Sequence, residues 1–376
     1  MKTNIAFIGA VGVPNVYGGF EMFLEACGPG FAEHFDAVFI TCDKSRYEDR
    51  APIWRGIRRV FLPVRANGAQ SIVHDFLAFF TVFWRVKAII VLGVSGGIFF
   101  PLFRLLCALT GKKLIVNVDG VESRRAKFSA AKQRFLYWSD RLAQRFAHRV
   151  VIDNEALRTY LDPAAQASAV LIAYPGDHVV RGIGSPNGAG RENQCLTICR
   201  IEPENQCHVL LEAFAQAGRG TYVFIGNWAA TEYGRQLRNQ YSRVSGLEMR
   251  DPLYDKTALA NLRESCDYYL HGHSVGGTNP SLVEMLFYDC DILAFDCAFN
   301  RCTAGDAVIY FEDSNTLLSQ LRRPAQCQRV DRSAVRRRYT QTKICEDYII
   351  LVEELTRTGS RKNSLKQKPD STSVRE

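Results

Sequence analysis

No uncharged run in this chain is long enough to cross a bilayer. The longest, Ala88 to Phe103, has about 16 residues and is interrupted by Gly96-Gly97 and Pro101, short of the ~18 that a spanning helix needs. No secretory leader is expected, because MKTNIAFIGA runs straight into a strand pattern. The C-x-x-C spacing of zinc sites is missing, and His271-x-His273 has no third ligand at a matching distance. Twelve cysteines are present, but they stand singly, often inside apolar runs such as CLTIC and LLCAL. That argues against a disulfide framework and reads as a reduced, cytoplasmic chain using Cys as a small core residue.

What is present is an ordinary globular composition, 47% hydrophobic and 23% charged, over 376 residues. That length exceeds one comfortable core, so two domains are expected. The net charge of +8 is unevenly placed: residues 1–180 carry 22 Lys/Arg against 15 Asp/Glu, the remainder 25 against 24. The last 18 residues, GSRKNSLKQKPDSTSVRE, hold only Leu365 and Val374 as hydrophobes and read as a disordered tail over 359–376.

Strand-like and helix-like stretches alternate twice. NIAFIG, AVFITC, AIIVLG, KLIVNVDG and RVVIDN form one series; CLTICRI, TYVFIGN, DYYLHG, DILAFD and AVIYFED form a second. Apolar strands separated by helices predict parallel sheets covered on both faces. Between the series, AYPGDHVVRGIGSPNGAG has the Pro, Gly, Ser and Asn content of a boundary. In such sheets ligands bind beyond the carboxyl ends of the strands.

Three strand-end segments carry candidate chemistry. GAVGVPNVYGGFE places Gly12, Gly18 and Gly19 between strand one and helix one, where bare backbone can approach an anion. The spacing is not G-x-G-x-x-G, and a plain strand–helix turn reads it equally well. ICRIEPENQ puts Arg200 at a strand end, where its fork suits phosphate oxygens, or where it pairs with Glu202 or Glu204. HGHSVGGTNPSLVE joins Gly276-Gly277 to a short helix capped by Thr278 or Asn279, with Pro280 in its first turn. Amides of Ser281 and Leu282 would face a phosphate, and Glu284 would face ribose hydroxyls or simply favour the helix dipole.

The second half resembles a family-4 glycosyltransferase of the GT-B fold. In that family a strand-end Arg precedes a Pro-Glu-Lys turn, and a later motif has two Glu eight positions apart. Arg200 matches the Arg and Glu284 the second Glu; Asn205 stands in place of the Lys and Gly276 in place of the first Glu. The pieces GVPNVYGGFE, NVDGVESRRAKFS, RIEPENQ, HGHSVGGTNPSLVE and FDCAFNR are similar to the rhamnosyltransferase-type branch of bacterial surface polysaccharide assembly, over about residues 4 to 356.

The resemblance implies an α/β GT-B architecture of two Rossmann-like domains facing a central cleft. The acceptor domain would span 1–176, the nucleotide-sugar domain 177–339, and a helix over 340–358 would cross back to the first domain. YTQTKICEDYIILVEEL has the apolar spacing of such a helix. It also implies a hexosyltransferase with retention, no obligatory metal, a nucleotide-sugar donor such as dTDP-rhamnose, and a lipid-pyrophosphate-linked glycan acceptor. Asp119 stands where many relatives carry a His near the reacting sugar; Asp119 or Glu122 would orient a hydroxyl or stabilise an oxocarbenium-like centre, or Asp119 only caps a helix. The pair Asp289 and Asp291 has the D-x-D form of another glycosyltransferase fold, but at the wrong end of the sheet.

Arg134, Arg141, Arg145 and Arg149 recur at spacings of seven, four and four, beside a stripe of Phe135, Leu142 and Phe146. With aromatics expected toward the core, nucleic acid is a poor partner; an anionic membrane surface on the cytoplasmic side fits the stripe better than nucleic acid, and a solvated face is the plain alternative. Two rival functions stay open, a GT-B-shaped nucleotide-sugar epimerase and a non-catalytic nucleotide-sugar-binding protein.

Overall fold

The computed structural model of the chain describes residues 3–118, 120, 128–179, 194–323 and 330–364, with side chains to 357. Asp119 and Glu122 lie outside the described residues.

The first unit contains β1 (Asn4–Ile8), α1 (Gly19–His34), β2 (Ala37–Asp43), β3 (Ile53–Trp54), β4 (Ile57–Leu62), α2 (Ser71–Phe83), β5 (Ala88–Leu92), α3 (Phe100–Thr110), β6 (Lys113–Val118), α4 (Ala130–Phe146), β7 (Arg149–Ile152), α5 (Pro163–Gln166) and β8 (Val170–Leu171). Its sheet has the order β3-β4-β2-β1-β5-β6-β7-β8, antiparallel only at β3–β4. β2 and β5 are buried along their whole length, which is why they read as unbroken apolar runs.

The second unit contains β9 (Gln194–Ile198), α6 (Cys207–Ala217), β10 (Thr221–Ile225), α7 (Glu232–Gln240), β11 (Leu247–Arg250), α8 (Lys256–Ser265), β12 (Tyr268–His271), α9 (Pro280–Met285), β13 (Asp291–Phe295), α10 (Ala298–Ala304), β14 (Ile309–Phe311), α11 (Ser314–Leu321) and α12 (Ser333–Arg338). All its strands are parallel, in the order β11-β10-β9-β12-β13-β14. This is a doubly wound sheet whose strand order reverses between β9 and β12. In the first sheet the reversal falls between β1 and β5.

The chain then enters α13 (Gln341–Ser364), which packs on the first unit, as the resemblance implies. Ile344, Tyr348, Leu351, Val352 and Leu355 are buried there beside Phe7, Phe23 and Phe31. The Tyr348 ring lies 5.1 Å from Phe23, and Asn117 Nδ2 donates to its hydroxyl at 2.7 Å. Both crossings between the units are tied together: Gly176 N donates to Tyr339 O at 2.8 Å, and Gln341 N to Asp177 Oδ1 at 2.8 Å. Any opening of one unit from the other therefore bends both crossings at one place.

All ten strand-like runs of the sequence form strands. β3, β4, β8 and β11 are edge or near-edge elements that the apolar criterion passes over, since IRRVFL and LEMR are interrupted by charge, on exposed Arg58, Glu248 and Arg250 and on the buried Arg59. Of the described cysteines, Cys27, Cys42, Cys107, Cys195, Cys207, Cys266, Cys290 and Cys345 are buried thiols in the cores.

Tyr348→Phe strands the Asn117 amide in an apolar setting. Urea unfolding should become easier by about 1–3 kcal/mol, the cost of an unsatisfied buried polar group. An unchanged transition would mean that α13 is held by apolar packing alone.

Candidate functional site

The loops after β9 and β12 flank the reversal point of the second sheet and face the first unit. Arg200 leaves the end of β9 with its side chain 55% exposed and its nearest carboxylate, on Glu204, 3.9 Å away. Its guanidinium is thus largely solvated, just beyond the carboxyl end of β9. Asn205 is buried: its Nδ2 donates to Arg200 O at 2.6 Å and its Oδ1 meets His273 Nδ1 at 2.8 Å. The residue standing in place of a Lys therefore fastens the β9 loop to the β12 loop. His273 O in turn accepts from Asn300 Nδ2 at 2.8 Å. Burial, together with the neighbouring His273, pushes His271 well below the ordinary imidazole range, so that ring is neutral.

Gly276 has φ +135° and lies against His273, whose Nε2 would be 2.9 Å from a Cβ. A side chain at 276 would be strained and would collide with that ring. At Gly277 a Cβ would come within 2.1 Å of Asp153 Oδ1, so the glycine pair lets the β12 loop lie directly on the end of β7. Gly120 approaches the same loop, 3.3 Å from Gly276 Cα to where its own Cβ would be.

Thr278 belongs to this junction. Its hydroxyl donates to Asp153 O at 2.5 Å and accepts from Asn154 Nδ2 at 3.2 Å. Asn154 Nδ2 also lies 3.0 Å from both Phe299 O and Thr303 Oγ1. Sequence reasoning missed Asp153 and Asn154; their position at the end of the expected strand RVVIDN was the available signal.

The cap of α9 is Asn279, and the expected anion-facing amides are already taken. Asn279 Oδ1 accepts from Ser281 N at 3.0 Å and Ser281 Oγ at 2.7 Å, and Asn279 O accepts from Leu282 N at 3.1 Å. The Leu282 side chain is in the core. Ser281 and Leu282 are thus corrected from direct phosphate contacts to members of a self-capped turn.

Glu284 is buried in an ion pair with Arg263 of α8, and His178 Nε2 lies 3.5 Å from its other oxygen. Burial alone would push its carboxyl up; the Arg263 guanidinium and His178 outweigh burial and hold the pKa below the ordinary 4.5. The carboxylate is held charged and oriented, with lone pairs left for further donors.

On the opposite side, the β1–α1 loop is closed by Glu21, which the sequence reading overlooked. Its Oε1 accepts from Val11 N at 2.6 Å and its Oε2 from Gly18 N at 3.0 Å. Gly12 packs on Cys42, 2.5 Å from Sγ to where a Cβ would be. Gly19 faces the second unit, 3.4 Å from Pro280 Cγ by the same measure. Gly12 and Gly18 therefore serve the packing and closure of their own loop.

The D-x-D residues are far from this cleft, at the amino end of β13: Asp291 N donates to Asp267 O at 2.8 Å, and Asp289 pairs with Arg336 at 3.3 Å. The basic stripe needs two corrections. Arg149 sits on β7 rather than on α4, and Arg141 is held by the Asp162 carboxylate and by Tyr160 O. The neighbouring stripe of Phe135, Leu142 and Phe146 is half-buried, while Tyr137 and Trp138 of α4 are exposed.

The family model described as "Domain of unknown function (DUF1972)" matches residues 2–177. No curated protein sequence matches the chain. Among solved structures, a sucrose-phosphate synthase from Thermosynechococcus elongatus is similar at TM-score 0.76 and 13% identity, covering 95% of this chain and 100% of that one. HepE from Anabaena in complex with UDP follows at 0.70 and 13%, covering 94% and 100%. The catalytic domain of starch synthase IV from Arabidopsis thaliana, bound to ADP and acarbose, gives 0.68 and 10%, covering 96% and 99%. With two Rossmann-like sheets and the returning helix, the fold is of the GT-B type.

Glu284→Gln leaves Arg263 buried without its counter-charge and should lower unfolding free energy by about 3–5 kcal/mol. Because the folded pKa is depressed, this stabilisation is complete above the unfolded carboxyl value and is lost as pH falls through the folded one. Urea unfolding of wild type and variant should therefore converge on acidification. A constant difference across that range would contradict the ion-pair account.

Proposed function

We propose that the chain is a retaining glycosyltransferase taking a nucleoside-diphosphate sugar in the crevice between β9 and β12 and passing the sugar to an acceptor on the first domain. The observation that carries this reading is Arg200: an exposed guanidinium at the reversal point of a doubly wound sheet, beside a loop whose glycines permit close approach. A departing diphosphate gathers negative charge in the transition state, and a fixed guanidinium fork stabilises that charge. Similar structures described with UDP or ADP support the same class of ligand.

Within this reading Glu284 keeps a charged carboxylate available to ribose hydroxyls, and Asn205 sets the backbone that carries Arg200. Gly276, Gly277 and Thr278 shape the floor of the cleft. Asp119 and Glu122 are proposed for the reacting sugar. The finer identity rests on the sequence pieces around GVPNVYGGFE and HGHSVGGTNPSLVE: rhamnose from dTDP-rhamnose, delivered to a lipid-linked oligosaccharide for O-antigen, capsule or exopolysaccharide at the cytoplasmic face of the membrane. No helix among the described residues is long and apolar enough to cross a membrane, so access to such an acceptor would be peripheral.

Arg200→Ala should weaken dTDP binding in calorimetry by about 1.5–3 kcal/mol, the worth of a hydrogen bond to a charged group. Unchanged affinity in a folded variant would remove the phosphate role. Because charge stabilisation is assigned to Arg200 and the loop backbone rather than to paired carboxylates, sugar transfer should survive excess EDTA. Complete loss that Mg²⁺ or Mn²⁺ restores would contradict this mechanism.

A further inference from the structure

The outer face of the first unit is apolar where solvent would favour charge. On α2, Phe79 and Phe83 pack inward, while Val73, Phe80 and Trp84 stand exposed on the other side, Trp84 at 77%. On α3, Phe103 and Cys107 are buried, and Leu102, Leu105 and Leu109 recur along the outward face, Leu109 at 75%. α4 adds Tyr137 and Trp138, the latter 59% exposed. Among the described residues, nine of the sixteen large exposed hydrophobics lie on these three helices or the turns beside them. Scattered singly they would need no explanation; side by side they do.

They are side by side. Phe103 of α3 stacks on Phe79 of α2 with ring centroids 3.8 Å apart. The turn before α3 lies on α4 at Gly97, where a Cβ would come within 2.0 Å of Ser139 O, and Ser139 Oγ donates to Val94 O at 2.6 Å. The same turn meets α2 at Gly96, 2.6 Å from Asp75 Cβ to where a Cβ would be. The glycine pair therefore locks α2, α3 and α4 into one layer. Each helix runs from the carboxyl end of its strand back to the amino end of the next, so Val73 and Ile98 border the cleft while Trp84 and Leu109 lie at the far end.

The charge around this layer has one sign. Between Ser71 and Val118 the only carboxylate is Asp75, which is buried, whereas Arg85, Lys87, Arg104, Lys112 and Lys113 are cations. On α4 the single acid, Asp140, accepts from Gln144 Nε2 at 2.8 Å, and Lys132, Arg134 and Arg145 are exposed. An apolar face rimmed by cations, with tryptophans at two of its edges, suits the interface of an anionic bilayer: acyl boundary under the leucines, headgroups at the Trp and Arg level.

We propose that the α2–α3–α4 face inserts shallowly into an anionic phospholipid surface. This differs from docking by an arginine stripe alone, because the contact is apolar at its centre and should outlast charge screening. It also stands apart from the reaction proposed for the cleft, since no residue named here touches the donor loops.

The test is co-sedimentation of the full chain with phosphatidylglycerol-containing vesicles and with pure phosphatidylcholine vesicles, at low salt and at about 1 M salt, where the Debye length falls to ~3 Å. Wild type should sediment with the anionic vesicles, weakly with neutral ones, and keep part of its binding in high salt. Leu105→Asn with Leu109→Asn, both on the surface, should lower partitioning by about tenfold while leaving dTDP affinity in lipid-free buffer unchanged. Brominated phosphatidylcholine doped into the anionic vesicles should quench Trp fluorescence, and this should vanish with Trp84→Phe and Trp138→Phe together. Absence of binding to either vesicle overturns the proposal, as does complete release by salt with the leucine variant sedimenting normally. A lipid-free dimer in sedimentation velocity that the leucine variant converts to monomer would reassign the face to self-association. Loss of dTDP binding in wild type would instead strike the cleft reading and leave this one standing.

Discussion

The close approach of Gly277 to Asp153 is the contact on which the arrangement of the site depends. The two sheets present their carboxyl ends to one another, and at this point the Gly277 backbone lies against the Asp153 carboxylate with no room for a Cβ. Thr278 and Asn154 complete the junction with hydrogen bonds that cross it in both directions. From there order passes outward: His273 backs the glycine loop, Asn205 joins His273 to the β9 loop, and through Arg200 O it fixes the backbone that carries the exposed Arg200 side chain. A buried polar chain of this kind fixes geometry because each unmade bond would leave a desolvated group.

The same junction accounts for the division of labour across the cleft. On the second unit, the loops after β9 and β12 carry an exposed cation and bare backbone, above a buried carboxylate kept charged by Arg263. On the first unit, the β1–α1 loop is closed on itself by Glu21, so its glycines shape a wall. The linked crossings at Gly176–Asp177 and Tyr339–Gln341 confine relative motion to one hinge.

Most strands were legible because buried parallel strands leave an unmistakable apolar signature, as in AVFITC and AIIVLG. β4 and β11 were not, since charged residues interrupt their apolar runs, Arg58 and Arg59 in β4, Glu248 and Arg250 in β11. The site was legible in its loops and less so in its side-chain roles. Arg200 and Gly276-Gly277 could be placed from strand ends and backbone freedom alone. Asn205, Thr278 and Ser281 could not be assigned, because whether an amide or hydroxyl faces a ligand or a neighbouring loop depends on tertiary contacts that no local pattern encodes.

Amide hydrogen exchange with and without dTDP tests the central claim most directly, because it reads the crevice rather than any one side chain. Binding between β9 and β12 predicts slowed exchange in residues 199–206 and 272–279, with little change around Asp289 and Asp291. Protection concentrated at the 289–291 turn, or none in either crevice loop at saturating dTDP, would contradict the account.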